Sequence, residues 1–191
     1  MISAATLHVV ATEMTVGTLA LAGALILLRT LISLDKGPFS HHAYSIDTGS
    51  VICAIAGLIA MPFAIITGIT ASPGDGLDDP LLFNKVILTF TALGIWGAWL
   101  SGRRSMGAAV WDDRGLALMH GLMGLTATGL TLTVASLGGK FSRGESLLGP
   151  LVKPLEYIVS IGMIPSIIML IASIAAFSAA IRVMPRIETQ P

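Results

Sequence analysis

The most informative stretch of this sequence is SVICAIAGLIAMPFAIITGIT, residues 50–70, which holds 21 residues and no formal charge. A helix needs about 20 apolar residues to cross the roughly 30 Å hydrocarbon layer of a bilayer. Polar and apolar residues do not alternate along the stretch, so a strand of a transmembrane barrel is not indicated. The stretch therefore predicts a membrane-spanning helix.

Four further stretches have the same character, and they span about residues 5–28, 81–100, 115–137 and 157–181. Each is long enough to cross a bilayer as a helix. The loops between them are short, and none is long enough to form a soluble domain. The sequence predicts an all-α fold, a single domain over residues 1–191 that forms an integral membrane bundle of five transmembrane helices.

The composition agrees with this prediction and excludes other classes. Of the 191 residues, 54% are hydrophobic and 12% are charged, whereas soluble domains carry about a quarter charged residues. The 11 Lys and Arg residues balance 11 Asp and Glu residues, so no basic excess indicates a nucleic-acid partner. A single cysteine, Cys53, excludes a disulfide scaffold.

The distribution of basic residues predicts an orientation, because cytoplasmic loops carry an excess of Lys and Arg. One side of the predicted bundle carries Arg29, Lys36, Arg103, Arg104, Arg114, Arg182 and Arg186. The other side carries Lys85, Lys140, Arg143 and Lys153. The N-terminus is thus expected outside and the C-terminus in the cytoplasm. An aromatic belt at the cytoplasmic boundary is expected from Tyr44, Trp96, Trp99 and Trp111.

A few ionisable residues fall within the predicted spans, where such groups are functional hypotheses by default. His8 and Glu13 lie in the outer half of the first helix, and Lys85 lies at the outer start of the third. They could converge in a polar pocket, and a histidine beside a carboxylate suits the proton transfers of quinol oxidation. In the alternative interpretation, Glu13 pairs with Lys85 or accepts hydrogen bonds from Thr12 or Thr15, Lys85 extends to the membrane interface, and the polar groups hold the helices together.

His120 is the one ionisable group of the fourth span and a candidate axial ligand for a b-type haem. A second ligand from His8 is not expected, since helix geometry separates the two by about 15 to 20 Å along the membrane normal. Two nitrogens on one haem iron lie only about 4 Å apart, so a partner for His120 would come from His41 or His42. The alternative is a hydrogen bond from His120 to a neighbouring helix.

The tandem pair His41 and His42 is a candidate copper or zinc site in the first cytoplasmic loop. Adjacent histidines lack the convergence of an i, i+4 pair, so a solvated loop pair is the alternative interpretation. No Walker loop or other nucleotide-binding pattern occurs in the sequence.

Three stretches resemble a widespread uncharacterised prokaryotic membrane domain of four helices, namely TLHVVATEMTVGTLALAGAL (6–25), AIITGITASPGD (64–75) and GLTLTVASLGGKFSRGES (129–146). That domain has a histidine early in its first helix, here His8, and a Gly-Gly turn after its fourth, here Gly138 and Gly139. The similarity covers about residues 5–147. A second histidine that often opens the third helix is absent, and Asn84 and Lys85 stand near that place. The resemblance implies a redox-associated membrane protein.

These observations favour a non-catalytic subunit of a larger membrane complex, respiratory or redox in character, with other membrane subunits and lipids as partners. The protein is expected to be a multi-pass protein of a cell membrane, and the prokaryotic plasma membrane is the expected location. One alternative is an electron-transfer subunit that binds haem b or a quinone, as part of a membrane oxidoreductase. Another is a small transporter or channel, which predicts an inverted repeat.

Overall fold

The computed structural model describes residues 2–35, 39–72, 79–146, 148–149, 153 and 171. These residues form helices and their connections, without a strand. The chain divides into two compact units, Met1–Tyr157 and Ile158–Pro191. All helices described below belong to the first unit.

Four α-helices make up the first unit: α1 (Ala4–Leu34), α2 (Ala43–Ala71), α3 (Pro80–Met106) and α4 (Arg114–Arg143). Short 3-10 helices precede α2 and follow α3, at Ser40–His42 and Gly107–Trp111. All four α-helices are long and apolar enough to span a membrane, which is compatible with a multi-pass membrane protein. The all-α class is confirmed. The predicted fifth helix, residues 157–181, lies outside the described residues except for Ile171.

Side-chain caps explain where several helices begin. The Ser3 hydroxyl accepts the Thr6 backbone N–H at the start of α1. The Asp79 carboxylate accepts two backbone N–H groups at the start of α3, and Asp113 caps α4 in the same way. These bonds satisfy donors that the first helical turn leaves free. At the other end of α4, Gly144 adopts a left-handed conformation with φ of 73° and stops the helix.

The helices run alternately up and down. α1 packs extensively against α2 and α4, and α3 packs extensively against α4, whereas α2 and α3 touch only lightly. The starts of α1 and α3 and the ends of α2 and α4 therefore share one end of the bundle, which we call the His8 end. The opposite end, where α2 and α4 begin, we call the His120 end.

The centre of the bundle is built around tryptophans. Trp96, Trp99 and Trp111 are all buried, so the expectation of an aromatic belt is wrong for these three residues. Trp96 donates its indole N–H to the Thr131 hydroxyl on α4 at 3.1 Å. A buried indole can satisfy its polar N–H in this way while its ring fills the core. Tyr44 is exposed.

Glycines allow α1 and α4 to approach closely. A Cβ atom at Gly121 of α4 would overlap the Thr30 side chain of α1, and a Cβ atom at Gly23 of α1 would overlap Thr128 of α4. Small residues at crossing points are typical of packed membrane helices.

Four predicted helix boundaries are corrected by the structure. α1 ends at Leu34 rather than at about residue 28, and α3 ends at Met106 rather than at about residue 100, since each helix continues past the apolar run. α2 begins at Ala43 rather than at residue 50, because Asp47 and Ser50 are polar residues that lie buried inside the bundle rather than in a loop.

α4 continues through Gly138 and Gly139 to Arg143, so these glycines do not form the expected turn. Their missing side chains instead leave room for neighbouring atoms: a Cβ atom at Gly138 would lie 3.1 Å from the Lys85 Nζ.

The predicted orientation is not supported by the structure. Arg29 and Arg103, which were counted as cytoplasmic loop charges, are part-buried within the bundle. An arginine that is held by partners inside the bundle does not act as a loop charge, and the positive-inside rule counts loop charges. The orientation of the termini therefore stays a prediction.

Candidate functional site

A cavity of about 620 Å³ lies at the His8 end of the bundle. Residues of all four helices line it, and most of them are Ala, Gly, Val, Ile or Leu. Its polar lining includes His8, Thr12 and Glu13 of α1, Ser72 after α2, and Arg143 of α4. The structure thus brings His8 and Glu13 to one cavity, as the sequence suggested.

His8 is held by α2. Its Nδ1 atom lies 2.9 Å from the Ala64 carbonyl oxygen and 3.4 Å from the Thr67 hydroxyl. A carbonyl only accepts hydrogen bonds, so Nδ1 carries the proton and the lone pair of neutral His8 is on Nε2. Gly68 makes room for the ring, since a Cβ atom there would lie 2.8 Å from the His8 Cε1.

Glu13 and Lys85 do not join each other. Among the described residues the ion pair that forms is between Arg103 and Asp47, so the alternative pairing of Glu13 with Lys85 is wrong. Glu13 is exposed and lines the cavity. Lys85 is half-buried, and its ammonium group lies against Gly138 of α4. The polar pocket predicted from sequence thus contains His8 and Glu13, with Lys85 at a separate contact.

Two hydroxyl groups of the cavity lining have no hydrogen-bond partner among the described residues. The Thr12 Oγ1 and Ser72 Oγ atoms are both buried, and no donor or acceptor of that part of the chain reaches them. By contrast, the Thr15 hydroxyl, also in the lining, donates to the Ala11 carbonyl at 2.8 Å. Buried polar groups are nearly always paired. The two hydroxyls are therefore buried polar groups of the cavity wall that remain open to a partner.

A second polar cluster lies at the His120 end, around a carboxylate that sequence analysis missed. Asp47 of α2 is 1% exposed. It accepts hydrogen bonds from the Arg103 guanidinium of α3 and, at 2.8 Å, from the Trp111 indole N–H. A buried carboxylate is tolerated when it is paired and hydrogen-bonded in this way. The cluster ties α2 to α3 across the most lightly packed pair of helices.

His120 is part of the same cluster. Its ring stacks on Trp99, with centroids 4.9 Å apart, and meets the edge of Trp111 at 5.2 Å. The side chain is buried, and its Nε2 atom has no hydrogen-bond partner. The expected hydrogen bond to a neighbouring helix is thus absent at Nε2. His8 and His120 lie at opposite ends of the bundle, which agrees with the expectation that they share no haem.

Arg29 of α1 completes the cluster. Its guanidinium lies over the Trp111 ring, 5.0 Å from the centroid, a geometry in which the cation is attracted to the ring face. Its Nη1 also donates to the Ser33 hydroxyl.

Asp47 could have been recognised from the helical period. Residues 39–61 contain no proline, and Asp47, Ser50, Ala54, Gly57 and Met61 recur at helical spacing. All five are buried in α2. The sequence does not show that Arg103 lies close to Asp47 in space. Without this partner, Asp47 is predicted to be an ordinary loop residue.

His41 and His42 lie in the 3-10 helix before α2, exposed, with ring centroids 3.9 Å apart. No group of three or more His, Cys, Asp or Glu side chains that could hold a metal ion occurs within the described part of the chain. The metal site at His41 and His42 stays a prediction.

Comparisons with protein-family models, curated proteins and solved structures find no match to this chain. The resemblance to a four-helix membrane domain therefore stays a prediction, and the site is interpreted from its geometry.

Proposed function

We propose that the protein is an integral membrane subunit of a larger membrane complex, with a structural role and no catalytic site of its own. The observation that carries this proposal is the outer face of α3. Gly94, Gly97 and Ala98 are exposed on it, and within the described part of the chain no atom lies within 4 Å of a Cβ atom placed at either glycine. Exposed small residues let another membrane helix approach closely.

The outer face of α2 differs from this second half of α3, whose first half also exposes Val86, Ile87 and Phe90. The exposed residues of α2 are large and apolar: Ile52, Ile55, Ile59, Phe63, Ile66 and Ile69. Such a face suits contact with lipid tails. The contrast supports an asymmetric subunit that turns α2 to the bilayer and α3 to a protein partner.

Native-gel sizing of the chain, extracted from its membrane in mild detergent, tests this proposal. Gly94→Leu is expected to release the chain from its complex, because a leucine on α3 keeps a partner helix away. Gly129→Leu on α4 is the matched control, since Gly129 is also exposed with open space around it. Migration of the unaltered chain at its own mass would overturn the proposal.

An electron-transfer subunit is the second candidate, favoured by the cavity that holds His8 and Glu13. In this proposal the cavity binds a quinone, or His8 or His120 ligates a b-type haem with a partner from another subunit. A reduced-minus-oxidised spectrum of the native complex, extracted in mild detergent, tests the haem. A b-type band that disappears in His8→Ala or His120→Ala would support it, and a colourless complex would exclude it.

Orientation and helix number belong to the same proposal. The N-terminus is outside, a fifth helix crosses the membrane at residues 157–181, and the C-terminus is in the cytoplasm of a prokaryotic cell. Labelling of single cysteines tests this in a Cys53→Ala background. A cysteine at Ser3 is expected to react with an impermeant reagent in intact cells, and one at Thr189 only after lysis.

A further inference from the structure

We propose that the cavity at the His8 end binds a lipid-soluble molecule whose uncharged ring carries carbonyl or hydroxyl groups, and that this molecule arrives from the bilayer between α2 and α3. Quinones belong to this chemical class. The redox use of the ligand rests on the second candidate function above, whereas binding itself requires neither a complex nor a redox reaction.

The size and lining of the cavity fit such a ligand. Its volume is about 620 Å³, within the range of pockets that enclose drug-sized molecules. The walls are mainly aliphatic, from residues such as Val9, Ile65 and Val134. An apolar body bearing a few polar atoms matches these walls better than a fully polar solute does.

The polar groups of the cavity specify the head of the ligand. Thr12 Oγ1 and Ser72 Oγ lack partners among the described residues, and His8 presents the lone pair of Nε2 because its Nδ1 is held by Ala64. Hydroxyls can donate or accept, whereas a neutral imidazole Nε2 only accepts. A ring carbonyl can accept from either hydroxyl, and a ring hydroxyl can donate to Nε2. Glu13 and Arg143, also in the lining, carry opposite charges, so the cavity selects no charged head.

The packing of the bundle indicates the route. Three of the four seams between neighbouring helices are extensively packed, and the seam between α2 and α3 is not. Both of these helices line the cavity, through Ile65 and Leu82 among others. The Asp47–Arg103 pair holds this seam at the His120 end. The seam can therefore widen at the end where the cavity lies.

Pro62 weakens α2 beside the cavity. Proline has no N–H, so the carbonyl of Leu58 loses its usual helical partner. Pro62 is exposed, and its neighbour Met61 lines the cavity. The part of α2 after Pro62 forms one wall of the seam and can bend away at this point.

Photoaffinity labelling tests the binding site. The purified full chain in lipid nanodiscs is illuminated with an azido-benzoquinone that carries a short isoprenoid tail, and the labelled peptides are identified by mass spectrometry. We expect labels on the cavity walls of α1, α2 and α4. Thr12→Val keeps the side-chain volume but removes the hydroxyl, so half-saturation should need about tenfold more probe.

His8→Ala removes part of the cavity wall and is expected to weaken labelling through lost packing, since the quinone carbonyls and Nε2 both only accept hydrogen bonds. His42→Ala, which removes an exposed histidine at the other end, should leave labelling unchanged. Melting temperatures of all variants identify any that fail to fold. If His8→Ala fails to fold, the labelling of Thr12→Val decides the test. This variant is expected to fold, since a hydroxyl without a partner contributes little to stability.

The time course of labelling tests the route. Pro62→Ala restores the backbone hydrogen bond of α2, so it should slow labelling and leave the final extent unchanged. An unchanged rate would overturn the bilayer route. Equal labelling of wild-type and Thr12→Val protein, labels confined to the lipid-facing isoleucines of α2, or displacement of the probe by phospholipid alone would overturn the site. Because the isolated chain is used, these results are independent of the native-gel test.

Discussion

At the scale of single residues, Asp47 has the largest structural consequence. It is buried near the start of α2 and is bound by side chains from α3 and from the 3-10 helix that follows it. Removing one partner of a buried ion pair leaves the other charge without compensation, and this costs more than the pair itself contributes.

We expect Asp47→Ala to lower the free energy of unfolding by about 3 to 5 kcal/mol, because Arg103 is left unpaired and the Trp111 N–H loses its acceptor. Reversible unfolding in mixed detergent micelles measures the change. Asp112→Ala removes an exposed carboxylate close by and should change the value by less than about 0.5 kcal/mol.

The double variant Asp47→Leu, Arg103→Met distinguishes an ion pair from general damage to the core. It removes both charges, so it should be considerably more stable than Asp47→Ala. Equal losses in the single and double variants would show that the pair itself is not what stabilises this end of the bundle.

At the scale of helices, the contact between α1 and α4 depends on Gly121. A methyl group at this position would overlap Thr30, and overpacking a tight interface typically costs about 1 to 3 kcal/mol. We therefore expect Gly121→Ala to destabilise the bundle by that amount, measured by the same unfolding assay. Gly129→Ala, on the open face of α4, should be neutral or slightly stabilising, since alanine favours a helix over glycine. A larger loss of stability in Gly129→Ala than in Gly121→Ala would contradict the described packing.

The positions of these helices could be predicted from sequence to a useful extent. Uncharged runs such as residues 50–70 identified the centres of all four, because crossing a bilayer needs about 20 apolar residues. The ends were harder to locate. The hydropathy pattern assigns Asp47 and Arg143 to loops because they are charged and lie outside the apolar runs. Both belong to helices.

The candidate site could be predicted only in part. His8 and Glu13 were correctly placed together because both lie on α1 at the same end. Trp99, Trp111 and His120 were assigned separate roles, although they stack in one cluster. Their contact depends on how α3 and α4 pack, and periodicity along a single helix carries no information about that.

At the scale of the whole molecule, the first compact unit contains the tryptophan core, the Asp47 cluster and the cavity. It ends at Tyr157. A unit with its own core is expected to fold by itself.

A chain truncated after Tyr157 should therefore retain the bundle. We expect its melting temperature in detergent to lie within about 4 °C of that of the full chain, which corresponds to roughly 1 kcal/mol at this size. Differential scanning fluorimetry of tryptophan emission measures it, since all three tryptophans lie in the first unit. Loss of cooperative melting would show that Ile158–Pro191 is required for the fold.

The pairing of Asp47 with Arg103 also has a consequence for biosynthesis. The two residues are 56 positions apart, so α2 is completely synthesised before its counter-charge leaves the ribosome. In a bilayer, α2 inserted by itself would leave a carboxylate without its arginine, which is unfavourable. For a membrane protein, this order of synthesis favours insertion of α2 and α3 together as a hairpin.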